Sequence, residues 1–180
     1  GPGYAVGNGA NAGMATLLSH SAPKSCRMRG HRDGTFSHCI EIYDGTSYTW
    51  KIVRCRALPC SPTGAEEWSV WATVDPGWTV GAMDYWLSED GLLVCVLLKW
   101  PDMEWYVYTA TLDASGTSWT WGTPVAIQVG GSNLAGQWAQ PSLRRRRDGV
   151  WELAYTPRVD VADPSVPALI RCRALASDGT

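Results

Sequence analysis

The chain has 180 residues, a formal net charge of −2 and 18% charged residues, so its electrostatics give no reason to expect nucleic acid or an anionic membrane surface as a partner. Its length suits one ordinary domain with a real core, and no apolar run reaches the ~20 residues that a membrane helix needs. Eleven tryptophans against one phenylalanine suit packing between sheets, where large flat rings fill the space between layers.

Residues 1–13 are rich in glycine and small side chains and read as an extended lead-in, with Gly1-Pro2-Gly3 as the scar of a cleaved expression tag. Residues 14–19 (MATLLS) form a short apolar strand. From residue 22 the chain runs through a proline, an arginine-rich stretch, Asp33-Gly34 and an alternating segment ending at Tyr43, then reaches the pentapeptide RCRAL at 54–58. A tryptophan-bearing strand follows at 66–75. A weaker copy, without the arginine run and the RCRAL, lies around Asp90-Gly91 at 83–112, and the full order recurs around Asp148-Gly149, where Tyr155 and a second RCRAL at 171–175 close the pattern. The Asp-Gly pairs stand 57 and 58 residues apart. Each unit therefore predicts four antiparallel strands joined by tight turns, the strand before Asp-Gly being the first.

Short strands repeating at this period predict an all-β chain made of β-propeller blades. The first blade spans 22–75, the second 82–129, and the third, 138–180, lacks its last strand. The strand at 14–21 is expected to supply it, which removes an exposed edge. A propeller typically closes with four to eight blades, so three per chain predict that a second copy completes a six-bladed homodimer. The competing reading is a segment of a longer propeller.

The segment PSLRRRRDGVWELAY, with IRCRALASDG and the tryptophan strands after it, resembles the repeats of sialidase-type six-bladed propellers. That family carries an Asp-box, Ser-x-Asp-x-Gly-x-Thr-Trp, after the third strand of a blade. The nearest segments here are 112–119 (LDASGTSW) and 176–180 (ASDGT), with the aspartate-to-glycine spacing one residue too long and one too short. The resemblance implies a propeller whose innermost strands line a central channel. Counting back from each Asp-Gly places Arg29, Trp86 and Arg144 at equivalent positions, with Arg27, Asp84 and Ser142 two residues earlier on the same face.

If that face looks into the channel, Arg27, Arg29, Arg144, Arg146, Asp84 and Trp86 make a ligand site. Guanidinium groups take carboxylates or phosphates bidentately, and a tryptophan offers a platform to a sugar ring. The plainer reading of Arg144 to Arg147 is a solvated strand end paired with Asp148 and Glu152. Trp68, Trp71, Trp119 and Trp121 recur and read as packing between blades. Trp78, Trp86, Trp100, Trp105 and Trp138 do not recur in every copy. Of these, Trp78, Trp100 and Trp138 lie at turns and are candidate contacts for a glycan or protein.

Six cysteines lack paired CxxC spacing, and with three histidines they predict no zinc site and no cofactor. Cys26 and Cys39 flank the first Asp-Gly turn, where a disulfide is geometrically possible, although Cys95 and Cys172 read as buried thiols. The functional expectation is a non-catalytic module that binds a glycan or protein and assembles with itself, with a secreted or virion-associated setting. Two alternatives are a sialidase-like hydrolase and a purely structural repeat assembly. Hydrolysis is disfavoured because Asp84 and Tyr85 are adjacent on a strand and point to opposite faces, and no Ser-His-Asp set stands out.

Overall fold

A computed structural model describes residues 28–43, 46–55, 68–88, 91–136, 140–156 and 171–175, which are strands, bridges, turns and bends with no helix among them. The chain divides into two compact units, Gly1–Asp75 and Pro76–Thr180. The expected closing strand at 14–21, Arg27, Cys26, Trp138 and the 176–180 segment lie outside the described residues.

In the first unit, β1 (Arg29–Gly30), β2 (Phe36–Tyr43), β3 (Tyr48–Cys55) and β4 (Trp68–Val74) form one antiparallel sheet in sequence order. Cys39, Ile40, Ile52 and Val53 are almost wholly buried. Adjacent strand residues point to opposite faces, so both faces of the β2–β3 ladder are covered.

In the second unit, β5 (Val80–Leu87), β6 (Leu92–Lys99), β7 (Glu104–Leu112) and β8 (Trp119–Trp121) form a second antiparallel sheet, and β9 (Val125–Ala126) adds to the same edge of β7. The small hairpin of β10 (Gln128–Val129) and β11 (Ser132–Asn133) turns on Gly130 and Gly131, both at positive φ. A third sheet contains β12 (Ser142–Arg145), β13 (Trp151–Tyr155) and β14 (Arg171–Leu175). None of these sheets closes on itself.

The three Asp-Gly turns fold alike. Gly34, Gly91 and Gly149 donate their backbone N–H to the carbonyls of His31, Ser88 and Arg146, while those residues donate to the carbonyls of Thr35, Leu92 and Val150 at 2.8 Å. The glycines sit at φ of 80°, 83° and 87°. Each turn is thus closed by a residue in the left-handed region, a position that glycine fills without strain. The pairings Arg29↔Ser37, Trp86↔Val94 and Arg144↔Glu152 put the three hairpins in one register.

The two RCRAL segments do not keep that equivalence. Arg54 pairs with Ser37 in the first sheet, whereas Ala174 pairs with Glu152, the counterpart of Ser37, in the third. The shared letters are therefore displaced by three positions along the ladder. Register follows the pleat and the connecting turn, and a pentapeptide does not set it.

The main cluster of the second unit lies between its two larger sheets. Val94, Val96, Leu98, Trp105 and Val107 of the middle sheet meet Leu143, Trp151, Leu153 and Tyr155 of the third, with Ile127 and Leu134 beside them. Trp105 is wholly buried and meets Tyr155 edge-on, their ring centroids 6.4 Å apart. Register gives Trp105 a counterpart that sequence spacing hides: it faces Leu98, and in the first sheet the equivalent Glu41 faces the equally buried Trp50. Trp105 thus has a buried counterpart at the same register position of the first sheet, although tryptophan does not recur there in every copy. Gly136 lies against its indole so closely that a Cβ there would stand 2.0 Å from Nε1.

Candidate functional site

Asp84 and Trp86 share a face of β5, as their spacing predicts, and that face looks onto the third sheet. The Asp84 carboxylate is fully buried and accepts the backbone N–H of Leu143 at 2.7 Å. The Gln140 side chain donates to the Met83 carbonyl at 2.6 Å. These two bonds join β5 to the start of β12. A buried carboxylate holding a backbone donor fixes sheet position, since removing it strands that N–H away from water. Trp86 packs edge-to-face on Trp151, with centroids 6.4 Å apart.

The arginine run begins on β12 and continues into its turn. Arg144, directly opposite Glu152, donates from Nε to Oε2 at 2.5 Å. Arg146 contacts Asp148 at 2.8 Å and Glu152 at 3.5 Å. Arg145 alternates to the other face, its guanidinium 5.5 Å from the Trp151 ring centre. The pairing of Arg144 and Arg146 with the two acids is the solvated strand end that the sequence also allowed. Such exposed pairs contribute about 0–1 kcal/mol each. Arg29 is a half-buried residue of the first unit.

A different group of residues gathers at the end of the middle sheet, where the chain enters β5 and where β6 turns into β7. The Trp78 and Tyr106 rings lie 5.2 Å apart and are tilted by 52°. Trp100 is 42% exposed, and its backbone N–H bonds the Thr79 carbonyl at 2.9 Å. Lys99 lies 6.0 Å from the Tyr106 ring centre and 2.5 Å from Asp102. Glu104 Oε2 accepts from Asn133 Nδ2 at 2.8 Å and, at the longer distance of 3.4 Å, from the Tyr106 hydroxyl. Burial raises the Tyr106 phenol above its ordinary range, and the bond to Asp102 raises Lys99. At neutral pH this corner therefore offers a neutral phenol, two half-buried rings and a rim of one ammonium, two carboxylates and an amide.

The sequence singled out Trp78 and Trp100. It missed Tyr106 and Glu104, which alternate along β7 with the core-facing Trp105 and Val107 and so carry the ordinary period of a strand. Asn133 belongs to the unpredicted β10–β11 hairpin, whose one local signal is Gly130-Gly131.

The first unit holds a polar cluster that the sequence did not indicate. The Arg54 guanidinium stacks 4.3 Å over Trp71, donates to Thr35 Oγ1 at 3.0 Å and pairs with Asp33. His31 contacts Ser37 Oγ at 2.7 Å and meets the Trp71 ring edge-on. Desolvation, followed by the Arg54 charge, lowers the His31 pKa below its ordinary 6.5. The Thr35 hydroxyl is the main cause that lowers Asp33. Ser37 is fully buried, which keeps its hydroxyl from any external substrate.

The Asp-box-like segment is a self-contained turn between β7 and β8. Asp113 accepts the backbone N–H of Thr117 at 2.9 Å, that of Ser118 at 3.1 Å and the Ser115 hydroxyl at 2.6 Å. Cys39 and Cys95 are fully buried thiols, and the partner weighed for Cys39, Cys26, falls outside the described residues. Among the described residues no cluster of histidine, cysteine and acidic side chains is arranged to hold a metal ion. No protein-family model, no curated protein and no solved structure matches the chain.

Proposed function

We propose that the chain is a β-propeller-type module that binds a glycan or protein ligand without turning it over. In this reading the three large sheets are consecutive blades, with β1, β5 and β12 innermost. The recurring turn, the common register of the three hairpins and the Asp84 tie between β5 and β12 support it. The third sheet has three strands among the described residues where the others have four or more. In this reading residues 14–21 of a second copy complete the third blade, giving six blades.

The single observation that carries binding is the Trp78–Tyr106 pair, set beside the exposed Trp100 and rimmed by Lys99, Asp102, Glu104 and Asn133. Amphipathic rings with polar groups at their edges serve recognition surfaces, because the ring supplies contact area and the rim supplies direction. Asp84, one of the carboxylates a hydrolase reading would draw on, is engaged with Leu143 inside the protein, which favours binding over catalysis.

The test is retention on a printed glycan array and on immobilised extracellular proteins, wild type against Trp78→Ala and Trp100→Ala. The proposal expects selective retention that either substitution weakens. Turnover of a chromogenic sialoside, or the absence of any selective retention, would overturn it, whereas retention indifferent to both substitutions would place the site away from this corner.

A further inference from the structure

The corner at the end of the middle sheet has a chemistry more specific than aromatic exposure, and its charge balance decides which ligand it suits. Trp78 and Tyr106 are both half-buried with their planes tilted by 52°, so each residue keeps part of its surface open to solvent. Flat apolar faces of this kind match the C–H face of a pyranose, which is the part of a sugar with least affinity for water.

Hydroxyl groups around that ring need acceptors and donors at the rim. Glu104 provides the acceptor. Its Oε2 is occupied by Asn133 and, more weakly, by Tyr106, whereas its Oε1 takes no partner among the described residues. The Asn133 bond holds the carboxylate in place, so that oxygen is oriented before a ligand arrives. Charge-assisted bonds from hydroxyls to a carboxylate are the stronger kind.

The same carboxylate sets a restriction. Among the described residues of this cluster Lys99 is the cation, and Asp102 at 2.5 Å already neutralises it. Glu104 therefore leaves the corner with a net negative charge. Like charges at a few ångströms repel, and desolvation on binding strengthens the penalty. A sugar carrying a carboxylate, sulfate or phosphate is selected against here. The nearest arginines along the second unit that the sequence offered for such a ligand, Arg144 and Arg146, are held by Glu152 and Asp148.

We infer that this corner binds an uncharged saccharide, with Trp78 and Tyr106 against one pyranose face and Glu104 accepting its hydroxyls. The inference rests on the binding reading above and adds the class of ligand. It departs from the acidic sugar that the sialidase resemblance implies.

The test uses the full chain and two sets of oligosaccharides, one of neutral hexoses and N-acetylhexosamines, the other their sialylated, sulfated and uronic counterparts. Binding is read by titration calorimetry and by saturation transfer to sugar protons. The expected result is binding of neutral members, weakened about tenfold or more by Trp78→Ala and by Glu104→Gln, each removing ~1.4 kcal/mol or more of interaction. Glu104→Gln keeps the side-chain shape, so it remains informative if Trp78→Ala destabilises the sheet. Preference for the acidic set, or binding lost through Arg144→Ala and Arg146→Ala instead, overturns this inference and leaves the binding reading standing. So does a protein ligand with no saccharide bound. Silence toward every saccharide and protein overturns both.

Discussion

Replacing Asp84 by alanine separates a structural carboxylate from a ligand-binding one. The side chain is fully buried and accepts the Leu143 N–H at 2.7 Å. Alanine removes a charged acceptor worth about 1.5–3 kcal/mol and leaves a buried donor without a partner, two descriptions of one loss. For a chain of 150–250 residues each kcal/mol lowers Tm by roughly 2–4 °C, so Asp84→Ala should melt about 3–12 °C below wild type. Asp84→Asn keeps an oxygen that can accept from Leu143, and it should recover at least half of that difference. The assay is thermal unfolding followed by far-ultraviolet circular dichroism at pH 7. A residue held ready for a ligand behaves in the opposite way, because removing a buried charge kept for function stabilises the protein. An Asp84→Ala variant that melts with or above the wild type would therefore refute the tie between β5 and β12.

Gly136→Ala should destabilise by about 1–3 kcal/mol, the usual range for overpacking, because its Cβ would fall 2.0 Å from Nε1 of the fully buried Trp105; an unchanged urea midpoint would show that the indole can move aside. Arg54→Lys should cost on the order of 1 kcal/mol through loss of the planar stack on Trp71 and the bond to Thr35, measured by chemical denaturation, with no change counting against the cluster. Stability should fall on acidification in two windows. His31 has a depressed folded pKa, so the unfolded chain binds its proton first and stability declines as pH drops below 6.5. Asp33 and Asp113 act with the same sign below about 3.8, where the bonds from Thr35 and Ser115 hold their folded pKa values down. Melting temperatures across pH 3 to 8 check both windows, and His31→Gln should remove the upper one.

The turns and the all-β class were legible because they rest on local chemistry. Asp-Gly before an alternating run needs a left-handed residue, and Gly34, Gly91 and Gly149 all supply one. The pairing of Arg144 with Glu152 was visible too, as residues equally spaced about a hairpin turn. What depends on register or on distant partners was not legible. The RCRAL segments look equivalent and are displaced by three positions, while Trp50 and Trp105 look unrelated and coincide. Asp84 reads as a channel-facing ligand residue on an alternating strand until Leu143, 59 residues away, is seen to donate to it. At the candidate site, Trp78 and Trp100 stood out as tryptophans at turns. Tyr106 and Glu104 were hidden because their alternation is the same period that buries Trp105.

The most direct test of the account is the solution mass by light scattering across a dilution series. A species of twice 19.6 kDa that persists on dilution is the result predicted for three blades completed by a second copy. A monomer at every concentration would contradict the self-completed ring.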